Sequence, residues 1–430
     1  MEVSPAGRHG PPEEASISLR GNAPPGAGLP MQREREGSCS WGHTSRMRRM
    51  TQIDTKLIHV GEPEPRIEGA VAMPIFQSAV FEGWSGQGYH DIHYIRLNNT
   101  PNHDALHTKL AALENAEAAL VTGSGMAAIA TSLLTVLSAG DHLLAHASLY
   151  GGTHDLITKD LPSFGISYDF IDGDDPASWA GLLKSNTRAI YVETMTNPLL
   201  EVVDLPAVVR FAREHGLVSL IDNTFASPVN FRPPEHGFDL SLHSCTKFLN
   251  GHSDIVAGAV IGRADLVEKV RYKLNHLGGS LDPHACFLLH RGLKTLALRM
   301  RHQNDSSLRI ARFLEAAPGV RRVNYPGLES HPRHARAREL FDGFGGVLSF
   351  ELDGGEEAAA RLMDRIEIPR KTVSLGGVET LITRPALSSH SGLDRADLQR
   401  LGITDSLVRL AVGIEATDDL LEDLEQALRG

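Results

Sequence analysis

The sequence predicts an α/β fold, a mainly parallel sheet with helices on both faces, followed by a smaller α+β domain. Two observations predict it. Between residues 103 and 300, short apolar runs of strand length alternate with stretches whose apolar residues recur at helical spacing, the pattern of a sheet covered on both sides. After about residue 300 the alternation gives way to a long helical segment and then to isolated strand-like runs. A chain of 430 residues has room for two such bodies and a large core.

In chain order, the segment 104–116 sets Leu106, Leu110 and Leu113 at helical spacing. Residues 118–122 form a short apolar strand, closed by Gly123-Ser124-Gly125, and 126–137 reads as a helix of small and apolar residues. Segments 142–145, 167–171, 189–192 and 218–221 read as strands, with 205–215 the helix between the last two. Beyond 300, residues 301–315 read as a helix, 345–352 and 373–375 as strands, and 418–428 as the closing helix. Ligands of parallel sheets sit at the carboxyl ends of strands, and Asp222 and Glu193 stand at two such ends. Residues 1–50 differ from the rest. They are rich in Gly, Pro and Arg, have Trp41 as their one aromatic residue, and lack the apolar run of a secretory signal. They are expected to be a disordered leader. An upstream start codon would account for it, since Met50 opens a segment that reads smoothly onward, and Glu13, Glu14, Glu34 and Glu36 speak against a transit peptide.

Composition narrows the classes of function. The net charge of −11 argues against nucleic acid and anionic membrane surfaces as partners. No run of 18 apolar residues exists to span a bilayer. Three cysteines (Cys39, Cys245 and Cys286) make no disulfide framework, and a reducing cytoplasm is the expected setting. His103 and His107 lie four apart but outside any His-Glu-x-x-His pattern, so no metal site is expected.

Four segments carry chemistry. Lys247 follows Ser244 and Thr246, whose hydroxyls suit phosphate oxygens; Gly251 and Gly258 allow close backbone approach, and the surrounding small and apolar residues would desolvate the amine and lower its pKa. Asp222, followed by Asn223 and Thr224, is either a turn-capping aspartate or a carboxylate paired with a pyridinium nitrogen. Ser124-Gly125-Met126 opens a helix whose free N–H groups suit a phosphate, or is simply a turn. Tyr150, beside Gly151 and Gly152, is either a core tyrosine or a ring stacked on a flat cofactor. A lysine, two hydroxyls and a strand-end carboxylate together are what pyridoxal 5'-phosphate requires.

Taken together, these segments resemble the Cys/Met-metabolism family of pyridoxal-phosphate enzymes, which includes cystathionine γ-lyase, cystathionine β-lyase, methionine γ-lyase, cystathionine γ-synthase and O-acylhomoserine sulfhydrylases. The resemblance runs from about Lys56 to the C-terminus, with motifs in family order: Leu57-Ile58-His59, Tyr94-Ile95-Arg96, Ser124-Gly125-Met126-Ala127-Ala128, Leu149-Tyr150-Gly151-Gly152-Thr153, Thr196-Asn197-Pro198, Asp222-Asn223-Thr224-Phe225, Ser244-Cys245-Thr246-Lys247, Arg291-Gly292-Leu293-Lys294-Thr295-Leu296, Ser374-Leu375-Gly376-Gly377 and Val408-Arg409-Leu410. It implies an aspartate-aminotransferase-type fold (fold type I) with a seven-stranded sheet. The implied divisions are an N-terminal arm over 51–102 that contacts a neighbouring subunit, a cofactor-binding domain over 103–300 and a C-terminal domain over 301–430. It also implies roles. Lys247 resembles the Schiff-base lysine and, once freed, the general base. Asp222 resembles the partner of the ring nitrogen, and Tyr150 the stacked tyrosine. Gly125, Met126, Ser244 and Thr246 match phosphate-binding positions. Tyr94 and Arg96 match a pair that reaches the phosphate of a neighbouring subunit's cofactor, which implies a dimer as the minimal active unit; the resemblance further implies a homotetramer, a dimer of dimers. Arg409 matches the arginine that grips the substrate α-carboxylate, and Asn197 and Ser374 match residues that help hold substrate and cofactor.

The implied activity is that of a carbon–sulfur lyase acting on cystathionine, methionine, homocysteine or cysteine, with γ-replacement on an O-acylated homoserine as the alternative. A non-catalytic relative would need a broken cofactor site, and the cofactor positions are intact. Departures from the family pattern concern the far end of the substrate. Asp155 stands where cystathionine γ-lyases often carry an arginine, and an acid there would repel a distal carboxylate. Val373 replaces a glutamate common in γ-lyases and γ-synthases, Gly152 the cysteine typical of methionine γ-lyases, and Leu97-Asn98-Asn99-Thr100 a Gly-Asn-Pro-Thr-type run. Arg384 is either a replacement distal clamp or a surface arginine.

Overall fold

The computed structural model describes residues 50–82, 88, 92–388 and 395–429. The leader expected over 1–50 therefore lies, apart from Met50, outside the described residues. Twelve strands follow in chain order: β1 (Ala118–Thr122), β2 (His142–His146), β3 (Ser167–Ile171), β4 (Thr187–Glu193), β5 (Val218–Asp222), β6 (Leu240–His243), β7 (Gly258–Gly262), β8 (Val320–Asn324), β9 (Val347–Leu352), β10 (Arg370–Lys371), β11 (Leu381–Thr383) and β12 (Leu407–Ala411). The first seven form one sheet in the order β1-β7-β6-β5-β4-β2-β3. All its pairings are parallel except those of β7, which runs against both β1 and β6. The remaining five form a smaller sheet, β10-β11-β12-β9-β8, in which only the β10–β11 pair is parallel.

The central strands are largely apolar because each face feeds a different core. Leu144, Ile190, Val192, Ile221 and Ile261 join one buried cluster. Their chain neighbours Leu143, Ala145, Tyr191, Leu220 and Val260 join the other, as the two-residue period of a strand requires. A third cluster, with Phe350, Ile382, Val408 and Leu410 at its centre, packs the smaller sheet against helices Leu296–Ala316 and Thr417–Leu428.

Local chemistry fixes the elements that carry the site. Helix Leu205–His215 matches its expected limits: Asp204 caps the N–H of Ala207, Pro206 sits in the first turn, and Gly216 ends it in the left-handed region at φ 64°. Helix Pro101–Leu113 begins three residues before the expected 104, because Thr100 and His103 form a capping box with Pro101 at the first position. It also ends early, at left-handed Asn115 (φ 54°). The helix expected over 301–315 starts at Leu296. Arg299 sits on its buried face and obscures the apolar period.

One expectation fails. Residues 373–375 are not a strand, because Ser374 has φ 86° and turns the chain.

The loop after β6 is held from below. Arg299, 4% exposed, donates through its guanidinium to the carbonyls of Phe248 (2.7 Å), Leu249 (3.3 Å) and Gly292 (2.9 Å). Burial without a carboxylate partner pushes its pKa down to about 10. Gly251 in the same loop has φ 76°, and a Cβ there would lie 2.0 Å from the Arg299 guanidinium. Substituting Arg299→Ala removes the donor from three carbonyls and is expected to cost about 3 kcal/mol. The check is a lower urea midpoint of the cofactor-free protein at an unchanged m-value.

Candidate active site

Two carboxylates lie side by side at the carboxyl end of the large sheet. β4 and β5 pair in parallel register, and the last matched residues are Glu193 and Asp222. Burial and then the neighbouring Asp222 push the Glu193 carboxyl well above the usual carboxylate range, against one N–H, that of Tyr150 at 2.7 Å. Burial also raises the Asp222 pKa, and the hydrogen bonds from Thr224 and the nearby His243 pull it back. The Thr224 N–H reaches Asp222 Oδ1 at 2.9 Å. Below this pair His243 Nε2 lies 2.6 Å from Glu114 Oε1, both side chains fully buried. Asn223 donates to the same Glu114 oxygen at 3.1 Å.

Cationic groups face the acids. Lys247 follows β6 in the turn that Arg299 supports, and its Nζ donates to Ser374 Oγ at 2.7 Å. Burial first, and Arg409 second, lower its pKa to about 8. Arg409 lies on β12, opposite Ser349 of β9 and Thr383 of β11. It donates to Asn197 Oδ1 at 3.0 Å and to the Ser374 carbonyl at 2.7 Å. Burial brings its pKa down to about 10, and its Nε is buried with no hydrogen-bond partner. Ser374 thus holds the amine through its hydroxyl and the guanidinium through its carbonyl.

The third wall is the start of helix Gly125–Val136. Ser124 Oγ caps the N–H of Ala127 at 3.0 Å, and the N–H groups of Gly125 and Met126 precede the first intrahelical bond. Glycine is required at 125: a Cβ would lie 2.8 Å from Ser244 Cβ. Thr246 Oγ1 accepts the Ala257 N–H at 3.0 Å, which fixes its hydroxyl beside Ser244. Gly152 is constrained too, since its Cβ would lie 2.7 Å from Tyr150 Cε1 and 3.2 Å from Met126 Sδ.

All the expected site residues except Tyr94 and Arg96 line one cavity of about 480 Å³: Gly125, Met126, Tyr150, Asn197, Asp222, Ser244, Thr246, Lys247, Ser374 and Arg409. Tyr94 and Arg96 are not among its lining residues. They precede helix Pro101–Leu113, where Tyr94 bridges to Val80 and the Arg96 guanidinium donates to the Asn275 carbonyl at 2.9 Å.

Arg384 is also outside the cavity. Its guanidinium donates to Glu356 Oε1 and the Asp405 carbonyl, each at 3.0 Å, so it is engaged away from the site rather than forming a distal clamp. Asp155 is likewise outside it and pairs with Lys159 at 2.8 Å. Sequence reasoning placed Glu193 at a strand end without a role. It missed Thr224 and the Glu114–His243 pair, whose members lie 129 positions apart. For Glu193, the registry of two parallel strands ending in acids was the available signal.

The donor set fits pyridoxal phosphate. Gly125, whose missing Cβ leaves room, lines the cavity with Met126, Ser244 and Thr246 at a helix N-terminus suited to phosphate. A half-buried amine and a half-buried carboxylate line the same space.

Comparison with known proteins agrees. The model of the Cys/Met metabolism PLP-dependent enzymes matches residues 54–429. The cystathionine beta-lyase of Bacillus subtilis (strain 168) is 41% identical over 378 residues, 88% of this chain and 96% of that protein. A probable cystathionine gamma-synthase of Herpetosiphon aurantiacus is 44% identical over 315 residues, 73% of this chain and 98% of the relative. The crystal structure of cystathionine gamma-lyase from Lactobacillus plantarum complexed with L-serine superposes with a TM-score of 0.83 at 38% identity, covering 87% of this chain and 98% of that one.

The environment of Lys247 has a measurable consequence. In the fold its amine holds a proton only to about pH 8, against the ordinary 10.5 of the unfolded chain. Between those values the unfolded chain binds more protons, so folding stability rises with pH. The cofactor-free Lys247→Met variant, free of this penalty, is expected to exceed the wild type by about 3 kcal/mol below pH 8, a gap that closes toward pH 10.5. Urea midpoints of the two proteins across that range check it.

Proposed function

The chain belongs to the Cys/Met metabolism PLP-dependent enzymes, and from that premise we propose that it is a carbon–sulfur lyase. It releases a thiol or hydrogen sulfide, ammonia and a 2-oxo acid from a sulfur amino acid. The observation that carries this reading is the Lys247–Ser374–Arg409 arrangement. A half-buried amine with its pKa lowered to about 8 is tied through one serine to a buried guanidinium. A base near neutrality and a carboxylate clamp fixed to each other are what abstraction of an α-proton needs.

Each residue has a role in this reading. Lys247 Nζ would hold the cofactor covalently and be freed when substrate binds. Asp222 would keep the ring nitrogen protonated, and Tyr150 would lie against the ring. The Gly125 and Met126 N–H groups, with the Ser244 and Thr246 hydroxyls, hold the phosphate. When bound, the cofactor supplies an electron sink for the pair left at Cα. Arg409, with Asn197 and Ser374 around it, takes the α-carboxylate as a bidentate pair and sets the Cα–H bond toward Lys247. Lys247 removes that proton and delivers it to the departing sulfur. The arm over 51–102 carries Tyr94 and Arg96 to the phosphate of a neighbouring subunit, so the working unit is at least a dimer, assembled as a tetramer. Cys245 and Cys286, free and buried, are in keeping with a reducing cytoplasm.

A second reading, γ-replacement on an O-acylated homoserine, draws support from the 44% identity to the probable synthase. A panel of cystathionine, methionine, homocysteine, cysteine and O-acyl-homoserines, with keto-acid identification, separates the two. Pyruvate or 2-oxobutanoate without added thiol is the expected outcome, and strict dependence on a thiol acceptor would overturn the lyase reading.

Borohydride reduction of the cofactor-saturated protein is expected to leave the pyridoxyl mass on the Lys247 peptide. Arg409→Ala is expected to lower kcat/KM about a hundredfold or more, by removing a desolvated charge-assisted pair. Steady-state kinetics at constant cofactor occupancy checks it.

A further inference from the structure

Glu193 lines the cavity without a role in the reading above. Register fixes its neighbour. β4 and β5 run in parallel about 4.8 Å apart, and the matched residues Glu193 and Asp222 project to one face, that of Tyr191 and Leu220. Two carboxyls so placed repel as anions and give up their protons one at a time.

The surroundings of the two acids are unequal. Asp222 is half-buried, and its Oδ1 accepts the Thr224 N–H at 2.9 Å. The Thr224 hydroxyl, whose oxygen already accepts the Ser244 N–H at 2.8 Å, gives Asp222 a second bond. His243 on β6, paired with Glu114, stands near enough to favour its charge. Glu193 is 5% exposed, and its one donor is the Tyr150 N–H, on Oε1 at 2.7 Å. Tyr191, two residues back on β4, is fully buried, and burial with the two acids beside it pushes its phenol up, so it stays neutral. Lys247 and Arg409 line the same cavity but are each hydrogen-bonded to Ser374. Among the described residues neither Glu193 nor Asp222 is in an ion pair. Of the two, Asp222 is equipped to hold a charge and Glu193 to hold a proton.

We propose that Glu193 is a positioning residue kept as the neutral carboxylic acid, its proton on Oε2, while Asp222 carries the single negative charge of the pair. Oε1 remains the acceptor that fixes the Tyr150 backbone and with it the ring. The O–H adds a donor beside Asp222 in place of a second charge. A bound pyridinium then meets one anion rather than two. This role rests on the placement of Asp222 at the ring nitrogen proposed above, and is the same whether elimination or replacement follows.

Infrared difference spectra of the holoenzyme at neutral pH, wild type minus Glu193→Gln, read the proton directly. The expected result is the carbonyl stretch of a protonated carboxyl, absent from Glu193→Gln and shifted when glutamate labelled with heavy carbon at its side-chain carboxyl is incorporated. A carboxylate stretch in its place, or a band that moves with labelled aspartate and not with labelled glutamate, would overturn the proposal. Cofactor affinity, read from the visible band as cofactor is titrated into the stripped proteins, is the second measure. Glutamine keeps an acceptor for Tyr150 and a donor for Asp222. Glu193→Gln is therefore expected to bind cofactor within about twofold of wild type, and Glu193→Ala about tenfold more weakly, the loss of one hydrogen bond. Tenfold weaker binding by Glu193→Gln, or wild-type binding by Glu193→Ala, would equally overturn it. Should Glu193→Ala not fold, Glu193→Gln and the infrared band still decide. Asp222→Asn is expected to weaken cofactor binding. If it does not, the ring-nitrogen placement fails, while the infrared band still reports on Glu193.

Discussion

Two acids forced into one dry corner set the terms for this molecule. Parallel pairing of β4 with β5 puts Glu193 next to Asp222 at the strand ends, where burial and mutual repulsion both favour protonation. Tyr150 and Thr224 contribute N–H groups, and the Glu114–His243 pair lies behind. In the function proposed above, a protonated ring nitrogen would be their counterpart. The same cavity is lined by the cationic groups Lys247 and Arg409, and burial lowers the pKa of each. Charge is therefore separated across the cavity by the backbone rather than by flexible side chains.

That separation depends on joining two sheets. Arg409 belongs to the smaller sheet and Lys247 to a turn leaving the larger one, and Ser374 connects them with a hydroxyl and a carbonyl. Its left-handed backbone costs about 1–3 kcal/mol and persists only where the surroundings over-determine it. The next turn does so. Gly376, itself at φ 81°, packs so closely on the Lys247 backbone that a Cβ would lie 2.9 Å from the Lys247 carbonyl carbon.

Much of this was legible in the chain. Strands β1 and β3 and helix Leu205–His215 have their expected limits, because local signals (the cap at Asp204, the stop at Gly216, short apolar runs) agree with the tertiary environment. Ten of the residues that line the cavity were named from motifs. Long-range geometry was not legible. Residues 373–375 are apolar enough for a strand, yet Ser374 is bent by contacts to residues 35 and 127 positions away. Nothing local marks Glu114 as the partner of His243, and nothing in the composition of 381–385 shows that Arg384 turns toward Glu356. Propensity and pattern report on neighbours in sequence, and these features are decided by neighbours in space.

Gly152 leaves the Tyr150 ring and the Met126 sulfur sharing a space that an added Cβ could enter only by displacing the ring. A lineage drifting toward a thiol or any other side chain at that position would first have to relocate the phenol. Mutational order is therefore constrained: some histories toward altered selectivity are open and others closed, whatever the merit of their end points.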